Sequence, residues 1–207
     1  MTKNVYTIGF LIFIIIIAVF FITNIFFRDI HYYNTSVLLN AFFVPFICAV
    51  GAYLSVTAYS RYKKVLSFKE AFGRAFMPMF VAGVLSLSFI YTYISYIDTD
   101  TKDLLNHQYI ESYKQSLEDE YQKAKEIIKP DTDEMKDLEE KYAEGKLRIE
   151  AKENKKEDMF SFEYFVYIFG GFNLFFIILS VFFGSFFRSK KDEKILHHSF
   201  ALRDGEK

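Results

Sequence analysis

The stretch MPMFVAGVLSLSFIYTYISYI, residues 77–97, is followed directly by DTDTKDLLNHQYIESYK, residues 98–114. The first stretch contains no Asp, Glu, Lys or Arg, and a helix of about 20 apolar residues is long enough to cross the hydrocarbon core of a bilayer. The second stretch is rich in charged side chains, which are costly to bury in a bilayer. The change at Asp98 therefore indicates that the chain leaves a membrane at this point.

Three other stretches have a similar length and also lack charged residues. They are residues 5–27, 37–59 and 164–187. In water these stretches would expose a large apolar surface, whereas a bilayer accommodates each of them as a continuous helix. The sequence therefore predicts an all-α integral membrane protein with four transmembrane helices.

The charged residues between the third and fourth stretches form a segment that we call the insert, residues 98–158. It contains 12 basic and 19 acidic residues, and its net charge is therefore −7. The predicted organisation has four parts: residues 1–97 form the first three transmembrane helices, residues 98–158 a soluble charged helical insert, residues 159–191 the fourth transmembrane helix and residues 192–207 a polar C-terminal tail.

Apolar residues recur every three or four positions along the first half of the insert, which predicts a helix over residues 101–129. Pro130 ends this helix, and a second, less apolar helix is expected up to about residue 154. Both ends of the insert return to one membrane face, so we expect a helical hairpin. Because the second helix has few apolar residues, an isolated hairpin of this kind has marginal stability. This favours a protein partner, a second copy of the chain or the membrane surface as its support. The candidate partner-binding residues are Tyr109, Tyr113, Leu117 and Tyr121.

The distribution of basic residues predicts the orientation. With four spans, both termini and residues 60–76 share one face, where 12 Lys or Arg stand against five Asp or Glu. Short loops rich in Lys and Arg remain in the cytoplasm. We therefore expect cytoplasmic termini and a periplasmic insert. No small-residue cleavage site follows the first apolar stretch, so it is expected to be a retained anchor.

Small and polar residues in the fourth apolar stretch are candidates for helix packing. Small side chains allow transmembrane helices to approach closely, and an amide can bond across the contact. Transport pathways commonly contain ionisable residues within the membrane, but here Arg74 and Glu163 both lie near span ends. A packing seam is therefore favoured over a substrate site. The candidate helix-packing residues are Gly170, Gly171, Asn173, Ser180 and Gly184.

Local patterns also predict how the second and third spans begin. The sequence Ser67-Phe68-Lys69-Glu70 fits a capping box at the start of a helix. Pro45 and Pro78 each remove one backbone hydrogen bond inside a span, and Pro78 is expected to kink the helix.

Catalytic and metal-binding motifs are not apparent. The four histidines, His31, His107, His197 and His198, have no partners at the spacing typical of metal ligands. The basic residues suit anionic lipid headgroups and the orientation rule, not nucleic acid. We therefore expect no enzymatic activity, no cofactor and no nucleic-acid partner.

The order of these features resembles that of a known family. Two spans and a basic linker precede Leu66-Ser67-Phe68-Lys69-Glu70-Ala71-Phe72, and the chain continues through the insert to Gly184-Ser185-Phe186-Phe187-Arg188-Ser189-Lys190-Lys191. Over residues 3–191 the chain is similar to domain-of-unknown-function family 4199, small four-span inner-membrane proteins found chiefly in Bacteroidota. The resemblance implies the location and topology and transfers no catalytic residue.

Two hypotheses for function remain. The leading one is an inner-membrane interaction or assembly protein of unknown biochemical activity, whose periplasmic insert contacts a membrane or periplasmic protein or a second copy of the chain. The alternative is a small channel or transporter, because two spans carry a proline and the fourth is rich in glycine.

Overall fold

A computed structural model describes residues 4–63 and 65–189. Its described residues form seven α-helices and no strand. The helices are α1 (Val5–Phe26), α2 (Tyr32–Leu38), α3 (Val44–Tyr62), α4 (Phe68–Tyr96), α5 (Thr99–Ile127), α6 (Asp133–Asn154) and α7 (Phe162–Phe187). The tail predicted for residues 192–207, with His197 and His198, lies outside the described residues.

Four helical segments are long and apolar enough to cross a membrane. They are α1, the continuous helix Tyr32–Tyr62, α4 and α7. The predicted class, an all-α integral membrane protein with four transmembrane helices, is confirmed.

The second span begins five residues earlier than predicted and contains one π-helical turn. This turn, Leu39–Phe43, joins α2 to α3. Pro45 lies in the first turn of α3, where it has no amide hydrogen for the preceding turn. A π turn shifts the hydrogen-bond register of a helix, so the helix accommodates the proline without a break.

The start of α4 is a capping box, as predicted. The Glu70 amide donates to Ser67 Oγ at 3.3 Å, and the Ser67 amide donates to Glu70 Oε2 at 3.1 Å. Lys63 Nζ lies 2.5 Å from Glu70 Oε1 and adds an ion pair. The helix continues through Pro78 to Tyr96, so the segment before the proline and the span form a single helix.

The chain divides into two compact units. Unit 1 comprises Met1–Phe21, Leu38–Ile90 and Phe165–Lys207, and unit 2 comprises Ile22–Val37 and Tyr91–Tyr164. Unit 1 therefore contains most of the four spans. Unit 2 contains the insert together with the span ends that adjoin it.

Close contacts between helices in unit 1 depend on glycines. A Cβ at Gly9 of α1 would lie 2.9 Å from the Pro78 carbonyl oxygen of α4, and a Cβ at Gly51 of α3 would lie 2.3 Å from Ile12 Cδ1. Glycine is thus needed where α1 meets the backbone of α4, whereas at Gly51 the Ile12 side chain would have to move. The buried apolar residues around these contacts include Ile12, Cys48, Ala52, Ala75, Met79 and Phe176.

In unit 2, α5 and α6 pack against each other in antiparallel directions. The rings of Tyr121 and Tyr142 stack with centroids 4.1 Å apart, and Leu117 fills the space where Gly145 has no side chain. Thr132 caps α6 by accepting a hydrogen bond from the Met135 amide. These contacts align the apolar stripe of α5 with that of α6.

Candidate functional site

The four candidate partner-binding residues differ in how much surface they leave free. Tyr109 is 7% exposed, Leu117 packs over Gly145 and Tyr121 stacks on Tyr142. Tyr113 is 45% exposed, although the centroid of its ring lies 4.9 Å from that of the Tyr109 ring. Most of this stripe is therefore used inside unit 2, and Tyr113 retains the largest free surface of the four.

The five candidate helix-packing residues also differ. Ser180 is fully buried, and a Cβ at Gly184 would lie 2.9 Å from the Phe68 ring. A Cβ at Gly170 or at Gly171 would meet no atom within 4 Å. Asn173 Nδ2 donates to the Phe169 carbonyl at 2.7 Å, which is a bond within its own helix. The close approach to α4 is thus in the second half of α7.

A polar cluster joins the end of α1 to the start of α5; we call it the Asn24 cluster, and it comprises Asn24, Tyr32, Asp98 and Thr101. Asn24 Nδ2 donates to Asp98 Oδ2 at 3.0 Å, and Tyr32 donates to Asn24 Oδ1 at 3.4 Å. Thr101 Oγ1 lies 2.8 Å from Asp98 Oδ2 and 3.1 Å from Asn24 Oδ1. Asp98 also caps α5 by accepting from the Thr101 amide.

Asp98 remains charged in this cluster. Burial disfavours the carboxylate, but the hydrogen bonds from Asn24 and Thr101 outweigh burial and lower the pKa of Asp98 below its ordinary value. The Arg28 guanidinium, 3.6 Å from Asp98 Oδ1, acts in the same direction. The carboxylate therefore has partners from both α1 and α5.

A second connection ties α5 to the loop and helix that follow α1. Gln108 Nε2 donates to the Asp29 carbonyl at 2.8 Å, and Gln108 Oε1 accepts from the Tyr33 amide at 2.8 Å. The rings of Tyr33 and Tyr109 meet edge to face at 5.9 Å. One side chain of α5 thus pairs with two backbone groups of residues 22–37.

A third connection is a polar cluster around Lys152 of α6. We call it the Lys152 cluster, and it comprises Tyr109, Lys152, Glu157 and Tyr164. Lys152 Nζ lies 3.1 Å from Glu157 Oε2 and 3.4 Å from the Tyr109 hydroxyl, and Tyr164 donates to Glu157. Burial disfavours the ammonium form, but bonds to Glu157 and Tyr109 outweigh burial and raise the pKa of Lys152. The first turn of α7 is thereby connected to α6.

A fourth connection lies between α5 and the loop before α7. Lys102 Nζ lies 2.6 Å from Asp158 Oδ2, and Asn106 Nδ2 donates to Asp158 Oδ1 at 3.0 Å. Burial opposes the charge of Asp158, but the bonds from Lys102 and Asn106 outweigh burial and lower its pKa. Asn106 also accepts from the Met159 amide at 3.0 Å, so this loop is bonded through both side chain and backbone.

Between the Lys152 cluster and Lys102 lies a cavity of about 330 Å³, the mixed-charge cavity. Three lysines and four acidic residues line it, with one apolar residue, Ile110. Within the described residues, no group of three His, Cys, Asp or Glu side chains could hold a metal ion. With lysines and acidic residues in its lining, the cavity offers charges of both signs to a small polar molecule.

Sequence reasoning missed most of these polar residues. Asn24 has no local sequence pattern that points to its partner, because its amide bonds to Asp98, 74 positions away along the chain. Lys152, Glu157 and Asp158 resemble the many other charged residues of the insert. The available signal was local: three uncharged polar residues, Asn106, His107 and Gln108, stand between the apolar residues Leu105 and Tyr109.

The fold and these contacts define the class, a multi-pass helical membrane protein whose third and fourth spans are joined by a charged pair of helices. A family model described as "Protein of unknown function (DUF4199)" matches residues 7–189, and the chain belongs to this family. A comparison with curated proteins and one with solved structures found no match to this chain.

Proposed function

We propose that this protein is an inner-membrane interaction or assembly protein of a bacterium, whose insert contacts a partner in the periplasm. The observation that carries the proposal is the number of polar connections at the membrane end of α5. Gln108 and Asn24 bond it to residues 22–37 on one side, and Lys102 bonds it to Asp158 on the other. A helical pair held in this way is ordered before a partner arrives, which lowers the entropic cost of binding.

The surface of the insert supplies candidate contact residues. Leu147 of α6 is 65% exposed and Ile127 at the end of α5 is 83% exposed. Exposed apolar residues that are scattered singly are common on protein surfaces. On two helices that are otherwise strongly charged, however, they are the available apolar anchors, together with Tyr113.

The periplasmic location of the insert rests on the excess of Lys and Arg on the opposite face. A backbone pair supports the assignment of residues 60–76 and the end of α7 to one face. The Ser189 amide donates to the Leu66 carbonyl at 2.9 Å, and the Leu66 amide donates to Ser189 Oγ at 3.0 Å. The insert and residues 22–37 belong to the other unit, in agreement with a four-span topology.

The alternative, a small channel or transporter, is favoured by a different observation. The hydroxyls of Ser55, Ser86 and Ser180 are buried and have no hydrogen-bond partner among the described residues. Buried polar groups are normally paired, and unpaired ones within spans could line a polar path. The proposal prefers the assembly role because these hydroxyls are neutral, whereas ion and proton pathways commonly use ionisable residues. Both candidate functions are non-catalytic and require no cofactor.

A photo-crosslinking residue in place of Leu147 tests the assembly role in living cells. We expect it to capture a defined membrane or periplasmic protein, because Leu147 presents its side chain to solvent. The matched control is the same substitution at Ile30, which is 82% exposed and lies between α1 and α2. Capture of the same proteins at both positions, or of lipid alone, would contradict the proposal.

Excision of residues 100–154 with a short linker separates the two candidate functions. An assembly function should be lost with the insert, whereas a transport activity of the spans should survive. A mild-detergent pulldown followed by mass spectrometry measures the first outcome. Equal recovery of the partner by the excised and the intact chain would place its binding site outside the insert.

A further inference from the structure

The mixed-charge cavity of unit 2 lies beside the first turn of α7. Tyr164, in the first turn of α7, donates a hydrogen bond to Glu157, which lines the cavity. In the same unit, the rings of Tyr91 of α4 and Phe162 of α7 meet edge to face, with centroids 6.4 Å apart. Tyrosines at the ends of transmembrane helices are typical of the headgroup layer. The cavity is therefore close to the level of the lipid headgroups.

The cavity contains both paired and unpaired charges. Lys102 is paired with Asp158, and Lys152 is paired with Glu157. Lys156 and Asp103 also line the cavity, and neither forms a salt bridge with any residue in the described part of the chain. One free ammonium and one free carboxylate thus face a space that is large enough for a small ligand.

This charge pattern discriminates between ligand types. The fourth acidic residue, Glu153, is paired with Lys114 at 2.8 Å, so the unpaired charges are those of Lys156 and Asp103. A purely anionic ligand would pair with Lys156 and leave the Asp103 carboxylate without a partner. The carboxylates can accept hydrogen bonds from a primary ammonium, which has three N–H groups. A quaternary ammonium has none and is typically bound by aromatic rings, but no aromatic residue lines this cavity.

We propose that the mixed-charge cavity binds a phosphate ester that carries a primary ammonium, and that its source is the headgroup of phosphatidylethanolamine in the adjoining leaflet. Lys156 contacts the phosphate, and Asp103 accepts from the ammonium. The paired residues Lys102 and Asp158 keep the walls of the cavity in place. This site is independent of any protein partner of the insert.

Native mass spectrometry of the full chain, purified in detergent and mixed with defined lipids, tests the site. Phosphatidylethanolamine should bind about tenfold more tightly than phosphatidylcholine or phosphatidylglycerol, since a charge-assisted hydrogen bond is lost with either competitor. Lys156→Gln and Asp103→Asn should each weaken the binding of phosphatidylethanolamine about tenfold. Lys155→Gln and Asp100→Asn are the matched controls, because they change exposed neighbours that do not line the cavity, and each should leave binding unchanged.

Equal affinity for the three lipids would overturn the proposal, and so would a loss of affinity in the controls that matches the loss in the cavity variants. Soluble glycerophosphoethanolamine distinguishes the two sources of this headgroup. If it binds as tightly as phosphatidylethanolamine, the cavity takes a soluble ligand and the assignment to lipid is wrong. We expect its binding to be much weaker, because only the lipid is held at this depth by its acyl chains.

Discussion

Asn24 illustrates, at the scale of single residues, how a polar group near the end of a span can become structural. Its amide donates to Asp98, and its carbonyl oxygen lies within hydrogen-bond distance of Thr101 and Tyr32. The side chain is buried, and a buried polar group that loses its partner destabilises a protein by about 1–3 kcal/mol. Asn24 is therefore expected to hold α5 to the end of α1.

Asn24→Leu should lower the free energy of unfolding by about 1–3 kcal/mol, because Asp98 and Thr101 lose a partner in a buried place. Thermal unfolding of the detergent-purified protein, followed by circular dichroism, measures the change. Asn173→Leu is the matched control, since its amide bonds to a carbonyl of its own helix, and its effect should be small. A larger loss of unfolding free energy for Asn173→Leu than for Asn24→Leu would contradict the structural role of Asn24.

The lowered pKa of Asp98 makes the same connection sensitive to acid. An acid whose pKa is lower in the folded state stabilises that state above its unfolded pKa, about 4 for Asp, and the stabilisation is lost as pH falls through the folded value. The unfolding temperature should therefore fall as pH is lowered below about 4. Asp98→Asn should flatten this dependence while it retains the cap of α5, because Asn is also a good N-cap residue.

The pKa of Asp158 is lowered, as is that of Asp98, so some acid dependence of the unfolding temperature should remain in the Asp98→Asn variant. An unchanged pH profile in that variant would mean that Asp98 does not contribute to acid sensitivity. The profile is measured with thermal unfolding at a series of pH values.

At the scale of secondary-structure elements, the spans were predictable and their exact bounds were not. An uncharged run of about 20 residues is a local signal, and the chain contains four such runs. The start of the second span was missed because Tyr32–Ser36 is polar in sequence. The Tyr33 amide there bonds to Gln108 of α5, and a contact across 75 positions has no local signature.

The contact between α1 and α4 depends on the absence of a side chain at Gly9. A methyl group there would lie 2.9 Å from a backbone oxygen of Pro78, and a backbone atom cannot turn aside as a side chain can. Gly9→Ala should therefore destabilise the protein by about 1–3 kcal/mol, the usual cost of overpacking. Gly170→Ala, with no atom within 4 Å of the new methyl, is the control and should be neutral or stabilising. Equal unfolding temperatures for both variants would contradict the close approach.

The register of α5 on α6 can be tested with a disulfide. Tyr121 lies opposite Tyr142 and Leu117 opposite Gly145, and the same register brings Ala124 opposite Leu138. Ala124→Cys with Leu138→Cys, in a Cys48→Ser background, should form a crosslink within one chain on mild oxidation. Lys125→Cys with Glu139→Cys is the control and should crosslink poorly. A crosslink that forms only between chains would mean that the apolar stripes join two copies.

At the scale of the whole molecule, the spans followed from sequence alone, whereas the candidate site did not. The spans required only the length and charge of each run. The site requires Lys102, Lys152 and Asp158 to come together, and these charged residues resemble the many others in the insert. Only their long-range pairings distinguish them. The proposed assembly role depends on the insert and on the face of the membrane from which it emerges.

The central claim is that the insert emerges into the periplasm, on the face opposite the termini. Alkaline phosphatase is active only where it is exported, so a fusion at Pro130, between α5 and α6, reports the location of the insert directly. The account predicts an active phosphatase at Pro130, together with a fluorescent cytoplasmic reporter fused after Lys207. An inactive phosphatase at Pro130, in a chain that is still inserted in the membrane, would contradict the orientation and with it a periplasmic partner.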